Sequence, residues 1–389
     1  MRIVYIAAGA GMMYCGACAR DLALIRELLA RGHAVEVYPL YTPLRLDGGA
    51  PVPMRAVAFG GITVSLQQWS ARFARQPECL RRWLDSPALL NFAAHFAIQT
   101  KPENLGPLTV SVLAGRDGRQ AAELARLVDT IAAAGQPDAV MITNALLSGI
   151  APALRARLDA PIYCTVQGED LFVEGLRDPF RARAWAWMRA HAAAVTAYLA
   201  PGAAYAARMV ERLGIPPEQM RVARPGVDLA TYHPDAAPLP EAFTLAYLSV
   251  IIPGKGLDLL VDAVRRLREE GRDVRLRVAG KVLDPAYWAR VRAAIRLAGL
   301  GEYVTWLGEV DLAGKLALLR GCSAFCQPSR APEARGMAAL EAMACAAPVI
   351  APDAGIFPEV RALTGLGRLF TPGDPDHLAH ACAAVMDDL

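Results

Sequence analysis

The sequence predicts an α/β protein of two domains, each built on a parallel sheet with helical crossovers. The β-rich apolar run Arg2 to Ala8 leads through a glycine-punctuated loop into an amphipathic helix and a second strand, Ala34 to Leu40. Strand, loop, helix, strand is a parallel βαβ unit. After 229–240, which holds three prolines and no periodicity, the same succession restarts at Phe243. A chain of 389 residues, 54% of them hydrophobic, is long for one core and comfortable for two. The expected division is 1–228, a linker at 229–241, and 242–389.

In the first domain Gly9, Gly11 and Gly16 mark the loop after the first strand, and Gly11 to Arg20 is expected to be that loop. Asp21 to Arg31 reads as a helix, with Leu22, Ile25, Leu28 and Leu29 on one face. The glycines do not spell the dinucleotide fingerprint, which argues against a nicotinamide cofactor. Cys15-Gly-Ala-Cys18 has the spacing of a redox pair at a helix start. The surrounding pattern is not that of a thioredoxin domain, however, and zinc would need two more ligands, so small residues in a close-packed loop explain it better. Residues 45–120 carry little pattern. Gln67 to Leu90 reads as short helices broken at Pro77 and Pro87, with Arg72, Arg75, Arg81 and Arg82 interleaved with Trp69, Phe73 and Trp83. Such a stretch is a surface helix or a grip on an acceptor or membrane face.

Gly118 to Ala133 is expected to be helical. Ala139 to Ile142 is a strand with Asn144 at its end, and Pro161 to Val166 a strand ending in Gln167-Gly168-Glu169-Asp170. Ligands of open α/β sheets bind at the carboxyl ends of strands. Asn144, Gln167, Glu169 and Asp170 are therefore candidate ligand contacts. Glu169 and Asp170 suit the first turn of a helix equally well. Arg181 to Ala193 reads as a helix, Val195 to Ala200 as a strand, and Val222 to Asp228 as the closing turn.

In the second domain Leu245 to Ile252 is a strand, Pro253-Gly254-Lys255-Gly256 a loop and Leu257 to Glu269 a helix. Strand Val274 to Ala279 ends in Gly280-Lys281. Helix Pro285 to Ala298, strand Tyr303 to Leu307, Gly308-Glu309 and helix Leu316 to Arg320 follow. The most informative stretch is 327–360: a polar loop carrying Glu333, then Gly336, a helix-forming run Met337 to Ala344, a strand Pro348 to Ala351, and a turn around Asp353 and Gly355. Glu333 lies before the helix and Glu341 within it. Between them Gly336, Met337 and Ala338 offer unpaired backbone N–H groups at a helix start, which is an anion site. Two carboxylates can hold sugar hydroxyls while the helix start holds a phosphate, a combination suited to a sugar linked to a diphosphate. The chain has only four lysines, Lys101, Lys255, Lys281 and Lys315, so Lys255 in a Gly-rich loop stands out.

The net charge of +3 is too small to imply nucleic acid. Residues 1–230 hold 24 Lys+Arg against 19 Asp+Glu, and 231–389 hold 17 against 19. This leaves the first half mildly basic, as ordinary surface charge or weak contact with anionic lipid. No run of transmembrane length is present, and the N-terminus reads as a strand rather than a signal peptide. Eight cysteines over this length do not suggest a disulfide scaffold, so a cytoplasmic setting is expected, with peripheral contact at the inner membrane face as an option.

The stretch around Glu333, with a second Glu inside Leu340-Glu341-Ala-Met-Ala, then Pro348-Val-Ile-Ala and Pro358-Glu359, resembles the donor-site motif of family 4 glycosyltransferases. So do Arg31-Gly32-His33 ending the first helix and Lys255-Gly256 in the second domain. The resemblance implies a GT-B fold, two Rossmann-like domains facing a central cleft, and sugar transfer with retention from a nucleotide-diphosphate sugar to a glycan, lipid or small-molecule acceptor. It implies that Lys255 and the amides after Gly336 hold the diphosphate, that Glu333 holds sugar hydroxyls and Glu341 the ribose, that the nucleobase lies near Gly308, and that the loop at Gly16 lies near the donor phosphates. Lys255 and Glu333 are the candidate catalytic residues. No cofactor is expected, and no metal, because no Asp-x-Asp motif ends a strand. Three departures stand out: Val250 replaces an Arg of the family, Ala346 a Gly, and the family's final helix crossing back to the first domain is not expected within these residues. Another GT-B enzyme, such as a sugar-nucleotide epimerase, or a weakly active or non-catalytic nucleotide-sugar-binding protein are the alternatives.

Overall fold

The computed structural model describes residues 1–9, 16–41, 52–59, 102–235, 240–365 and 367–388. The stretch Gln67 to Leu90, Cys15 and the side chain of Cys18 lie outside the described residues. Contacts divide the chain into two units, Met1–Arg224 and Pro225–Leu389.

The first unit is built on β1 (Arg2–Ala7), β2 (Ala34–Pro39), β3 (Ala139–Ile142), β4 (Ile162–Thr165), β5 (Ala197–Ala200) and β6 (Met220–Val222). All pair in parallel, in the order β2-β1-β3-β4-β5-β6. Ile3 to Ala7 are buried throughout, as expected of a parallel strand covered on both faces. The first helix spans Gly16–Ala30. It starts five residues before the expected Asp21, so Gly16 to Arg20 are helical and not loop. Ala17 and Ala19 are strong helix formers, which favours the early start. Helix Ala203–Leu213 was not expected from the sequence. It buries Tyr205, Ala206, Met209 and Leu213, one face of a helix.

The second unit is built on β7 (Phe243–Leu248), β8 (Val274–Ala279), β9 (Val304–Gly308), β10 (Ala324–Cys326), β11 (Val349–Pro352) and β12 (Arg368–Phe370). They form a second parallel sheet, ordered β12-β11-β10-β7-β8-β9. Leu245 and Tyr247 of β7 face the core packed by helices Leu257–Glu269 and Pro375–Asp388. Ala246 faces the core under helix Met337–Ala344. Strand β7 stops at Leu248, four residues short of the expected Ile252. Gly280 lies against it with φ +146°, and a Cβ there would sit 1.8 Å from the Ser249 carbonyl oxygen. Beyond this close approach only an isolated bridge, Ile251 to Val282, continues the ladder.

Chain order reverses between β1 and β3 in the first sheet and between β7 and β10 in the second. These are the topological switch points, where strand ends leave a crevice. Within the stretch expected as the linker, 231–233 are anchored to the second unit. Arg320 donates to the carbonyls of Thr231 (3.1 Å) and His233 (3.0 Å), and Tyr232 packs on the second unit's core. An aromatic side chain among the prolines has given this segment a place to dock.

Candidate active site

Two loops meet at the switch point of the second unit. The first follows β7 and carries Lys255; the second follows β10 and carries Gln327, Ser329, Arg330 and Glu333. Their packing fixes both. Gly256 adopts φ +68°, and a Cβ on it would lie 1.9 Å from the Pro328 carbonyl oxygen. Arg330 donates from its backbone to Gly254 O (2.9 Å) and from its side chain to Pro253 O (2.9 Å). It also grips both oxygens of Asp258, at 2.7 and 2.6 Å, a bidentate geometry with high directional specificity. Tyr287 completes the brace by donating to Asp258 at 2.6 Å.

On this brace Lys255 donates to Glu333 in a short, partly buried ion pair. Ser329 donates to the same carboxylate oxygen at 2.7 Å. Burial alone would raise the Glu333 pKa. The charge of Lys255 and hydrogen bonds from Lys255, Ser329 and Gln327 overcome that and hold it below its ordinary value. Gly355 closes the loop from behind at φ +64°, where a Cβ would lie 2.4 Å from Glu333 O.

Gly336, at φ +63°, starts helix Met337–Ala344, and no side chain caps it. The first-turn N–H groups, including those of Met337 and Ala338, have no intrahelical partners, and the helix dipole adds partial positive charge. Glu341 lies inside this helix and is 6% exposed. It accepts from Lys315 Nζ at 3.0 and 3.1 Å and from the Tyr232 hydroxyl at 3.1 Å. Lys315 also lies over the Tyr232 ring, 5.3 Å from its centroid. Burial, then the Glu341 charge, pushes the Tyr232 hydroxyl pKa up, so it stays a donor. Sequence reasoning missed both partners of Glu341. Tyr232 lay in the presumed linker; for Lys315 the scarcity of lysine was the available signal. Gly308 ends β9, at the sheet edge, with φ +77°. Ala346, expected at a glycine position, adopts φ +64° and is the one non-glycine residue at positive φ among those described. Val250 follows β7, and its carbonyl accepts from Tyr247 at 3.4 Å.

The first unit gathers its expected polar residues at the ends of β3 and β4, and engages each with protein groups. Asn144 accepts from Leu146 N at 2.7 Å, and Gln167 donates to Thr143 O at 2.7 Å. Glu169 and Asp170 open the helix Glu169–Glu174. Glu169 accepts from Ala145 N at 3.1 Å. Asp170 accepts from the Tyr205 hydroxyl at 2.9 Å and from Arg208 at 3.2 Å. Both acids are buried, so their visible work is to fix the strand ends. Sequence reasoning also missed the cluster beside them. Asp21 accepts from Tyr5 at 2.8 Å, from Arg20 and from Thr143, and is 1% exposed. Among the described residues no cluster of three or more His, Cys, Asp or Glu side chains is arranged to hold a metal. No described helix is long and apolar enough to cross a membrane.

Comparison with known proteins places both units. A family model described as "Glycosyltransferase Family 4" matches residues 59–231, and one described as "Glycosyl transferases group 1" matches 232–389. The phosphatidyl-myo-inositol mannosyltransferase of Mycobacterium leprae is 34% identical over 134 residues, 34% of this chain and 34% of that protein. The MMP alpha-(1->4)-mannosyltransferase of Mycolicibacterium hassiacum is 32% identical over 190 residues, 49% of this chain and 45% of that protein. The chain thus spans less than half the length of these curated relatives. Among solved structures, sucrose-phosphate synthase from Thermosynechococcus elongatus superposes with a TM-score of 0.69 at 18% identity, over 100% of this chain and 90% of that one. The shared fold is GT-B.

Proposed function

We propose a donor, a reaction and an acceptor class from one premise: this chain belongs to glycosyltransferase family 4. It transfers a hexosyl group from a nucleotide-diphosphate sugar to a hydroxyl of a glycan, lipid or small-molecule acceptor, with retention at the anomeric carbon. Mannose is the first donor sugar to test, because two relatives are named mannosyltransferases. An inositol-bearing lipid is the first acceptor to test, on the name of one of them.

One observation supports this reading above the rest: Lys255 and Glu333 meet at the β7/β10 switch point, in the same unit as the uncapped helix start at Gly336. In this reading the ion pair opens when donor binds. Lys255 and the amides of Met337 and Ala338 take the diphosphate, and Lys255 offsets the charge that builds on the leaving nucleotide. Glu333, held ionised, accepts hydrogen bonds from donor-sugar hydroxyls. Glu341, with Lys315 and Tyr232 fixing its carboxylate, receives the ribose hydroxyls, and the base lies toward Gly308. The leaving phosphate helps to take the acceptor proton, so no protein carboxylate becomes glycosylated. In the first unit Asn144, Gln167, Glu169 and Asp170 shape the acceptor side, and the family resemblance assigns Gly16 to the donor phosphates. No metal is required, and transfer persists in EDTA.

The test is transfer from GDP-, UDP-, ADP- and dTDP-sugars to inositol lipids and simple glycosides, with the product's anomeric configuration read by NMR. Retention in the product and its loss in Glu333→Ala, with an unchanged circular dichroism spectrum, is expected. An inverted product, or undiminished transfer by that variant, contradicts the reading.

A further inference from the structure

We infer that Lys281 is a further diphosphate-binding residue of the donor site. The inference rests on the donor reading above and starts from charge. Lys255 is paired with Glu333, and Lys315 with Glu341, so those four side chains sum to zero. Arg330 is committed to both oxygens of Asp258, and Arg335 has a partner of its own. A nucleoside diphosphate brings at least two negative charges, and a helix start supplies about half a positive one. Among the described residues of the site, positive and negative side chains balance, so the charge of the diphosphate is left unmet.

Lys281 fits that need by position. Its backbone is tied to the segment that leads from β7 to Lys255. Ile251 N donates to Lys281 O at 2.9 Å, and Leu283 N and Asp284 N donate to Ile251 O at 3.3 and 3.2 Å. Gly280, pressed against Ser249 O, lets the two chains approach this closely. Asp284 caps the next helix through Tyr287 N at 2.8 Å, and Tyr287 in turn holds Asp258, three residues past Lys255. Lys281 is thus fixed at the carboxyl end of β8, next to the switch-point strand. Its side chain is half-buried, and its ammonium has no hydrogen-bond or ion-pair partner among the described residues. A compact charge on a flexible four-carbon stem can turn toward a phosphate without breaking a hydrogen bond or ion pair of its own.

The test is calorimetric titration of GDP, UDP, ADP and dTDP, and of the matching nucleosides, into the full chain and into Lys281→Met and Lys281→Arg. Lys281→Met should weaken the preferred diphosphate on the order of tenfold, the size of one partly screened charge pair. It should leave the nucleoside and the melting temperature unchanged, and Lys281→Arg should retain most of the affinity. Equal diphosphate affinity in wild type and Lys281→Met overturns the inference while the donor reading stands. Equal weakening of nucleoside and diphosphate also overturns it, because the loss is then not one of charge. If wild type binds none of the diphosphates, the donor reading fails and takes this inference with it.

Discussion

Replacing Ala346 with glycine should stabilise the protein, against the usual direction of such a change. Ala346 follows the helix Met337–Ala344 with φ +64°, and its N–H donates to Met343 O at 2.9 Å. An L-residue in the left-handed region carries about 1–2 kcal/mol of steric cost. Ala346 is exposed, so deleting its methyl opens no cavity. Glycine's extra freedom in the unfolded chain takes back about 0.5–1 kcal/mol. The net gain is about 0.5–1 kcal/mol, a rise of about 1–4 °C in Tm for a unit of this size. The assay is thermal melting followed by circular dichroism, with Ala289→Gly as control. Ala289 is exposed in the middle of helix Pro285–Leu297, where the same change should cost about 1 kcal/mol. If Ala346→Gly lowers Tm as Ala289→Gly does, the left-handed assignment is refuted.

Other expectations follow from the same geometry. Gly256→Ala places a methyl 1.9 Å from Pro328 O at φ +68°. It should cost about 2 kcal/mol or more and weaken diphosphate binding by moving the Lys255 loop; a variant with wild-type Tm and affinity would contradict the loop packing. Lys315→Met leaves the Glu341 carboxylate, 6% exposed, with one fewer charged donor. A loss of about 2–3 kcal/mol in urea denaturation is expected, and no loss would mean the pair is idle. The Glu333 pKa is held below its ordinary 4.5 in the folded chain, so ionised Glu333 contributes stability above that pH. That contribution declines as pH falls through the lowered folded value. The stability advantage of wild type over Glu333→Gln should therefore be full at neutral pH and shrink in acid; an advantage that grows below pH 4.5 would reverse the sign.

Much of the fold was legible because burial on two faces writes itself into local pattern. Val274–Ala279, Leu257–Glu269 and Met337–Ala344 have their expected bounds. The last two repeat apolar or small residues at helical spacing, and the first is a β-rich strand run. Helix Ala203–Leu213 was missed although its spacing is helical, because alanine and arginine dilute the apolar face. The candidate site was legible where its residues lie close in sequence, as Glu333, Gly336 and Glu341 do. It was not legible where tertiary structure alone joins them. Lys315 and Tyr232 stand 26 and 109 positions from Glu341, and no local rule links them. Strand order, which puts Lys255 beside Glu333 across 78 positions, is set by how helices cover the sheet and leaves no trace in alternation. The acidic pair Glu169 and Asp170 reads alike as ligand contact or helix start, and the hydrogen bonds, not the residue types, reveal their structural work.

The most direct measurement is a thermal-shift panel of GDP-, UDP-, ADP- and dTDP-sugars on wild type and on Lys255→Met. One nucleotide sugar at about a hundred times its Kd should stabilise wild type by about 2.7 kcal/mol, and the shift should be lost or much reduced in Lys255→Met. A panel in which no donor raises the wild-type Tm, or in which Lys255→Met responds as strongly as wild type, would contradict a donor site at Lys255 and Glu333.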